Sequence, residues 1–231
     1  MTDRAGLRGN LISDPLHGLA TAEVTSKVGG ETEFFDYLEA SGEIRSNRSS
    51  NFLYSNLSYL ILGMVIEAAS VQEYADFCQQ SVQRPIGITD AVIPAEWTIV
   101  GPFGGWRMTL ADVLKLRETF DLYHPSILDR RTLERTILGK LGGSIDKSGQ
   151  LYYTVATWIR SNQSDGSYTI FHDGISRYYW GATPEFMYTE STFPGYAWVI
   201  AMVPEPSLSE RRSILEETRN ILRETVDEHQ F

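Results

Sequence analysis

Tyr54-Ser55-Asn56 sets a phenol and a carboxamide two positions apart, just ahead of a segment with helical apolar spacing. A phenol can give or take a proton, and a carboxamide can hold a substrate carbonyl, so the pair could serve one cavity. On an extended backbone alternate side chains point the same way, which turns Ser55 aside and makes it a poor nucleophile. A structural account competes: Asn56 or Ser58 caps the helix, and Tyr54 packs above it. His172-Asp173-Gly174 is the second candidate. His172 could hold an anionic or carbonyl group or tune a nearby phenol through charge, and Gly174 could leave room for a substrate backbone. A His-Asp pair at a strand end also occurs without function. Phe103-Gly104-Gly105-Trp106 reads equally as one wall of a cleft or as a tight loop before the next helix.

The nucleophile is what these groups lack. No Ser-x-x-Lys precedes Tyr54, and the one formal match, Ser144-Ile145-Asp146-Lys147, lies in a glycine-rich connection. There no helical turn brings serine and lysine together, and Asp146 and Lys147 read as solvated loop charges. The four histidines are scattered and the single cysteine has no partner at ligand spacing, so no metal site is expected. No phosphate-binding glycine signature occurs, and no cofactor is expected. Cys78 reads as a structural thiol within a helix.

A net charge of -10 over 231 residues argues against nucleic acid or an anionic membrane as partner. Hydrophobic residues at 42% and charged residues at 22% are ordinary for a globular domain. One cysteine excludes an intrachain disulfide framework. Neither a secretory signal nor an apolar run of membrane-spanning length is visible, so a cytoplasmic location is the default expectation.

The elements that must position these groups divide the chain in two. Residues 1–150 read as mainly helix and loop, and 151–231 as antiparallel strands closed by a helix, within one domain. Residues 1–30 are irregular, and Glu31 to Ala40 suggests a short helix. Leu57 to Ala69 is the strongest helix, with Leu60, Ile61, Met64, Val65 and Ala68 on one side. Val71 to Gln83 follows as a second, stopped by Pro85 and Gly87. Thr89 to Gly105 reads as mostly loop. Thr109 caps a helix from Leu110 to Phe120, and Asp129 to Leu138 suggests another. Strands are expected over Tyr152–Ile159, Ser167–His172, from Ser176 towards Trp180, and over Tyr196–Val203. The near-continuous apolar run of the last suits a central strand covered on both faces. Ser209 to Val226 is a helix with Ile214, Thr218, Ile221, Leu222 and Val226 turned to the sheet. The fold class is α/β, an antiparallel sheet flanked by helices with a helical region against one side.

Tyr54-Ser55-Asn56 with the helix Leu57 to Gly63, then Glu67, Tyr74 and Pro85-Ile86-Gly87, resembles the serine β-lactamase and penicillin-binding-protein superfamily, in its class C and esterase branch. Gly104-Gly105 with Thr109-Leu110-Ala111-Asp112 is similar to a later segment of that family. His172-Asp173-Gly174 falls where the family has Lys-Thr-Gly or His-x-Gly, and Leu11 to Leu19 faintly matches a segment nearer the amino end. The resemblance implies a β-lactamase/transpeptidase-like fold and acyl chemistry on an amide, ester or peptide. It implies Tyr54 as proton shuttle, Asn56 as substrate-amide contact, and His172, Gly174, Gly104 and Gly105 as lining of the site. The family places its Ser-x-x-Lys upstream of the Leu11 match, near which this chain begins. The expectation is therefore an amino-terminally truncated pseudoenzyme, inactive alone. The alternatives are completion by a homodimeric or complementing chain that supplies serine and lysine, or a non-enzymatic ligand-binding or interaction module.

Overall fold

The computed structural model describes residues 33, 36, 39, 40, 52–138, 144–146, 148–154, 156–161, 166–176 and 185–229. Glu33, Asp36, Glu39 and Ala40 are helical and exposed, within the short helix expected there. The Leu11 to Leu19 segment, Lys147 and Trp180 lie outside the described residues.

Helix α1 spans Asn56–Ser70 and buries Leu57, Ser58, Tyr59, Leu60 and Gly63. It ends at Val71, whose φ of 57 and ψ of 36 are left-handed and whose backbone N–H donates to the Glu67 carbonyl. Helix α2, Tyr74–Cys78, runs on through a π-helical turn, Gln79–Gln83, and a 3-10 turn, Arg84–Ile86, before Gly87 stops it. The start is fixed by the Tyr74 N–H, which donates to Glu67 Oε1 at 2.8 Å. Cys78 is a half-buried free thiol, and burial pushes its pKa up.

The stretch read as loop before Gly105 holds a 3-10 helix, Ala95–Phe103. Its Pro102 ring lies where a β-carbon on Gly63 would stand, 2.4 Å from Cγ, so glycine lets α1 dock on this segment. Helix α3, Leu110–Glu118, starts as expected at Thr109, whose hydroxyl accepts from the Asp112 N–H at 3.1 Å. Asp129 caps α4, Arg130–Leu133, in the same way, and a π-helical turn, Glu134–Leu138, continues it.

Five strands form one antiparallel meander in the order β1-β2-β3-β4-β5: Leu151–Thr154, Thr157–Ser161, Tyr168–Ser176, Glu185–Phe193 and Ala197–Met202. The single strand expected over Tyr152–Ile159 is instead the β1–β2 hairpin. Thr154 pairs with Thr157, and Ala156 takes a φ of 63 between them. Strand β3 runs on to Ser176, and β4, which the sequence reading missed, pairs with it from Tyr168↔Phe193 to Ser176↔Glu185. Strand β5 is outermost in the described sheet rather than central. Its apolar run is explained by cover on both faces, by α3 and by the last helix.

Alternation along the strands makes the two faces. On one, Tyr152, Ile159, Tyr168, Ile170 and Phe193 pack with Leu122, Leu133 and Ile137 of the helical region. On the other, Phe186, Tyr188 and Trp198 pack against α5, Leu208–His229, through Leu215 and Leu222. Leu215 takes the place expected of Ile221, which is 55% exposed. The buried Glu190 carboxylate on this face is gripped by Arg219 at 2.8–3.1 Å, and Arg219 also donates to the Tyr188 hydroxyl.

Candidate active site

Ser55 is the residue that precedes α1, with φ of -152 and ψ of 117, so the chain enters the helix extended. That conformation points Tyr54 and Asn56 the same way, and the Tyr54 hydroxyl donates to Asn56 Oδ1 at 3.2 Å. Ser55 is buried on the other side. Neither Asn56 nor Ser58 stands at the cap position, and Ser55, which does, makes no side-chain cap bond.

Aromatic rings fix this tripeptide against the sheet. Phe52 packs on Tyr153 and Trp158, with centroids 5.3 and 5.6 Å away. Tyr54 packs on Tyr153 at 5.7 Å and on His172 at 6.3 Å. Tyr153 in turn shares a buried 2.8 Å hydrogen bond with the Tyr59 hydroxyl on α1. The segment thus wraps the end of the β1–β2 hairpin and brings the phenol of Tyr54, the amide of Asn56 and the imidazole of His172 to one place. Gly174 stands two residues along β3 from His172, on the same face, and nothing lies within 4 Å of where its β-carbon would be.

Burial pulls the His172 pKa below its usual value, Asp173 opposes the shift, and the Arg117 guanidinium adds to it. His172 is therefore a neutral imidazole at pH 7, able to accept or donate one hydrogen bond at each nitrogen. Arg117 is the group that sequence reasoning missed here. Only 7% exposed, it donates through Nη1 to Thr157 Oγ1 at 3.3 Å, while Nε and Nη2 have no hydrogen-bond partner among the described residues. Burial lowers its pKa to about 10, so it stays charged at pH 7. The signal was present: Arg117 follows Val113 by four residues, on the stripe of α3 that otherwise carries Val113 and Leu114.

A sequence model of the beta-lactamase family matches residues 1–203. The chain belongs to that family. The octameric penicillin-binding protein homologue from Pyrococcus abyssi is similar in fold, with a TM-score of 0.65 at 14% identity over 88% of this chain and 50% of that one. The D-amino acid amidase from Ochrobactrum anthropi SV3 gives 0.59 at 16% identity over 88% and 63%. Its complex with D-phenylalanine gives 0.60 at 16% identity over 87% and 69%. The beta-lactamase-family chain thus spans half of the first of these proteins and under two thirds of the second. No curated protein matches it by sequence.

The remaining candidates of this family member sit in local structure. Gly104 has φ of 153 and ends the 3-10 helix, and a β-carbon on Gly105 would stand 2.8–2.9 Å from the backbone of Gly101 and Trp97, where none fits. The turn itself therefore requires glycine at 105, and no described contact joins either residue to Tyr54. The Ser144 hydroxyl is held within its own loop, donating to Asp146 Oδ1 at 2.9 Å, with the carbonyls of Asp146 and Leu151 as alternative acceptors within 3.2 Å. Asp146 is held well below the usual carboxylate range, chiefly by Ser148.

Proposed function

We propose that Tyr54, Asn56 and His172 are the proton-transfer and substrate-holding part of an acyl-hydrolase site, and that this polypeptide by itself binds small amides, esters or peptides without turning them over. The observation that carries the reading is the Tyr54–Asn56 hydrogen bond facing the His172 ring. In it Tyr54 relays protons, Asn56 holds the scissile amide, and the open space at Gly174 admits the ligand backbone along β3. Among the described residues the single lysine is Lys115, bound to the Gly87 carbonyl and paired with Asp112, and Ser144 is held in its loop. No described serine–lysine pair adjoins Tyr54 to start an acyl transfer.

The test has two arms. Incubation with a chromogenic ester, a β-lactam and a serine-directed probe is expected to give no turnover and no covalent adduct by intact mass; a stoichiometric adduct overturns the inactivity, and its site names the nucleophile. D-phenylalanine amide, followed by tyrosine fluorescence, is expected to bind and to weaken about fivefold in Asn56→Ala, the worth of one neutral hydrogen bond. Absence of binding, or an unchanged affinity in the variant, overturns the site. The octameric assembly of the P. abyssi homologue favours a second reading, in which another copy or a complementing chain supplies serine and lysine to the same site. Probe labelling that appears only at concentrations where sedimentation shows an oligomer would select it.

A further inference from the structure

The face of the sheet that packs on α5 carries a groove of ≈ 480 Å³, lined from the sheet by Arg160, Thr169 and Glu190 and from α5 by Arg212, Arg219 and Arg223, among others. His172 lies on the opposite face, because Thr169 and Phe171 alternate with it along β3. The groove is separate from the candidate active site.

Its charge is unusual for this chain. Four arginines meet two glutamates, Glu190 and Glu216, in a protein of net charge -10. Arg219 is spent on Glu190, with Nη2 at 2.8 Å. Arg212 and Arg223 stand seven residues before and four after Arg219, positions that bring all three to one side of α5. Neither they nor Arg160 makes an ion pair with a described residue, although Glu216 is four residues from Arg212. Arg160 is laid across the Phe171 ring, 5.4 Å from its centroid, which keeps its guanidinium along the sheet surface. The groove floor is polar: the Thr169 and Thr192 hydroxyls bond each other at 3.1 Å. Two positive charges in excess therefore converge over hydrogen-bonding hydroxyls, in a space of small-ligand size.

We propose that this groove binds a phosphate-bearing small molecule of at least two negative charges. Guanidinium forks match phosphate oxygens in pairs, and several donors can share one phosphate. The acidic remainder of the surface repels long polyanions, while a compact ligand within the groove lies inside the screening length of the arginines.

Pyrophosphate titrated into the full chain at low ionic strength, by calorimetry and by NMR of the arginine Nε–H groups, tests this directly. Binding is expected to move the Arg160, Arg212 and Arg223 signals, to weaken as salt is added, and to fall about tenfold or more in Arg212→Ala/Arg223→Ala. Both substituted side chains are exposed, and an unchanged melting temperature checks the fold of the variant. The wild-type NMR arm needs no variant. No binding at millimolar pyrophosphate, binding unaltered in the double variant, or arginine signals that do not move would each overturn the proposal. Succinate binding as tightly as pyrophosphate would overturn the assignment to phosphate.

Discussion

Replacing Gly63 with alanine adds one methyl group at a place where the structure has no space for it. The new carbon would stand 2.4 Å from Pro102 Cγ and 2.9 Å from Pro102 Cβ, against an optimal carbon–carbon separation of about 3.5–4.0 Å. The pyrrolidine ring has no rotamer through which to escape, so α1 and the Ala95–Phe103 segment must separate by about 1 Å. Overpacking of this kind costs about 1–3 kcal/mol, and the rigid neighbour argues for the upper end. Alanine in a helix interior returns about 1 kcal/mol over glycine. The net is a loss of about 2 kcal/mol, which in a domain of this size lowers the melting temperature by about 4–8 °C. Thermal and urea melts of Gly63→Ala measure it. In Gly63→Ala/Pro102→Ala the obstacle is gone, and the double-mutant cycle should return a coupling of similar size. A single variant that melts at or above the wild-type temperature refutes the claim that glycine at 63 exists for close approach. Because α1 begins at Asn56, the shift should also loosen ligand binding at the Tyr54–Asn56 pair.

Val71 is a β-branched residue in left-handed conformation and 90% exposed, so Val71→Gly should raise stability by about 1 kcal/mol in urea denaturation; a loss would mean its side chain makes contacts that matter. Burial alone would raise the Glu190 pKa, but hydrogen bonds from Arg219 and Tyr188 outweigh it and hold the carboxylate below its usual range. Arg219→Met strands that charge; with Arg219 27% exposed in the native pair, water softens the loss to about 2 kcal/mol at pH 7. The deficit should shrink as pH falls and Glu190 takes up a proton, and equal deficits at pH 3 and pH 7 would contradict the pairing. For His172 the folded pKa is depressed, so below about pH 6.5 the unfolded chain binds the extra proton. Stability should therefore fall as pH drops from there towards the folded pKa. His172→Gln should remove that part of the slope, and an unchanged slope counts against a buried neutral imidazole.

What the sequence made legible was local. The phenol and carboxamide at 54 and 56 share a direction because two residues of extended chain suffice, and Thr109 announces α3 by its own chemistry. The β1–β2 hairpin was hidden because Tyr152 to Ile159 is rich in aromatic and β-branched residues throughout, and Val155-Ala156 carries none of the glycine or asparagine that marks a two-residue turn. Strand β4 was hidden too, since its run from Phe186 to Phe193 is interrupted by Thr, Glu and Ser, and the glutamate's buried place is explained only by Arg219, 29 residues later. The placement of β5 at the end of the described sheet could not be read from its composition, because two helices cover an apolar strand as well as two more layers of any kind would. Within the candidate site, His172 was visible as a residue type, although it was expected at a strand end and stands in the middle of β3. Tyr153, which stands between it and Phe52, was not, because nothing local links positions 52, 59 and 153.

The phenol-to-phenol bond between Tyr59 and Tyr153 crosses 94 residues and joins the helical half to the stranded half beside the candidate site. Tyr54 and Asn56 come from before residue 60, and Tyr153 and His172 from after residue 150. Neither half owns the candidate site, and a polypeptide cut between them would lose these contacts even if each piece kept its own shape.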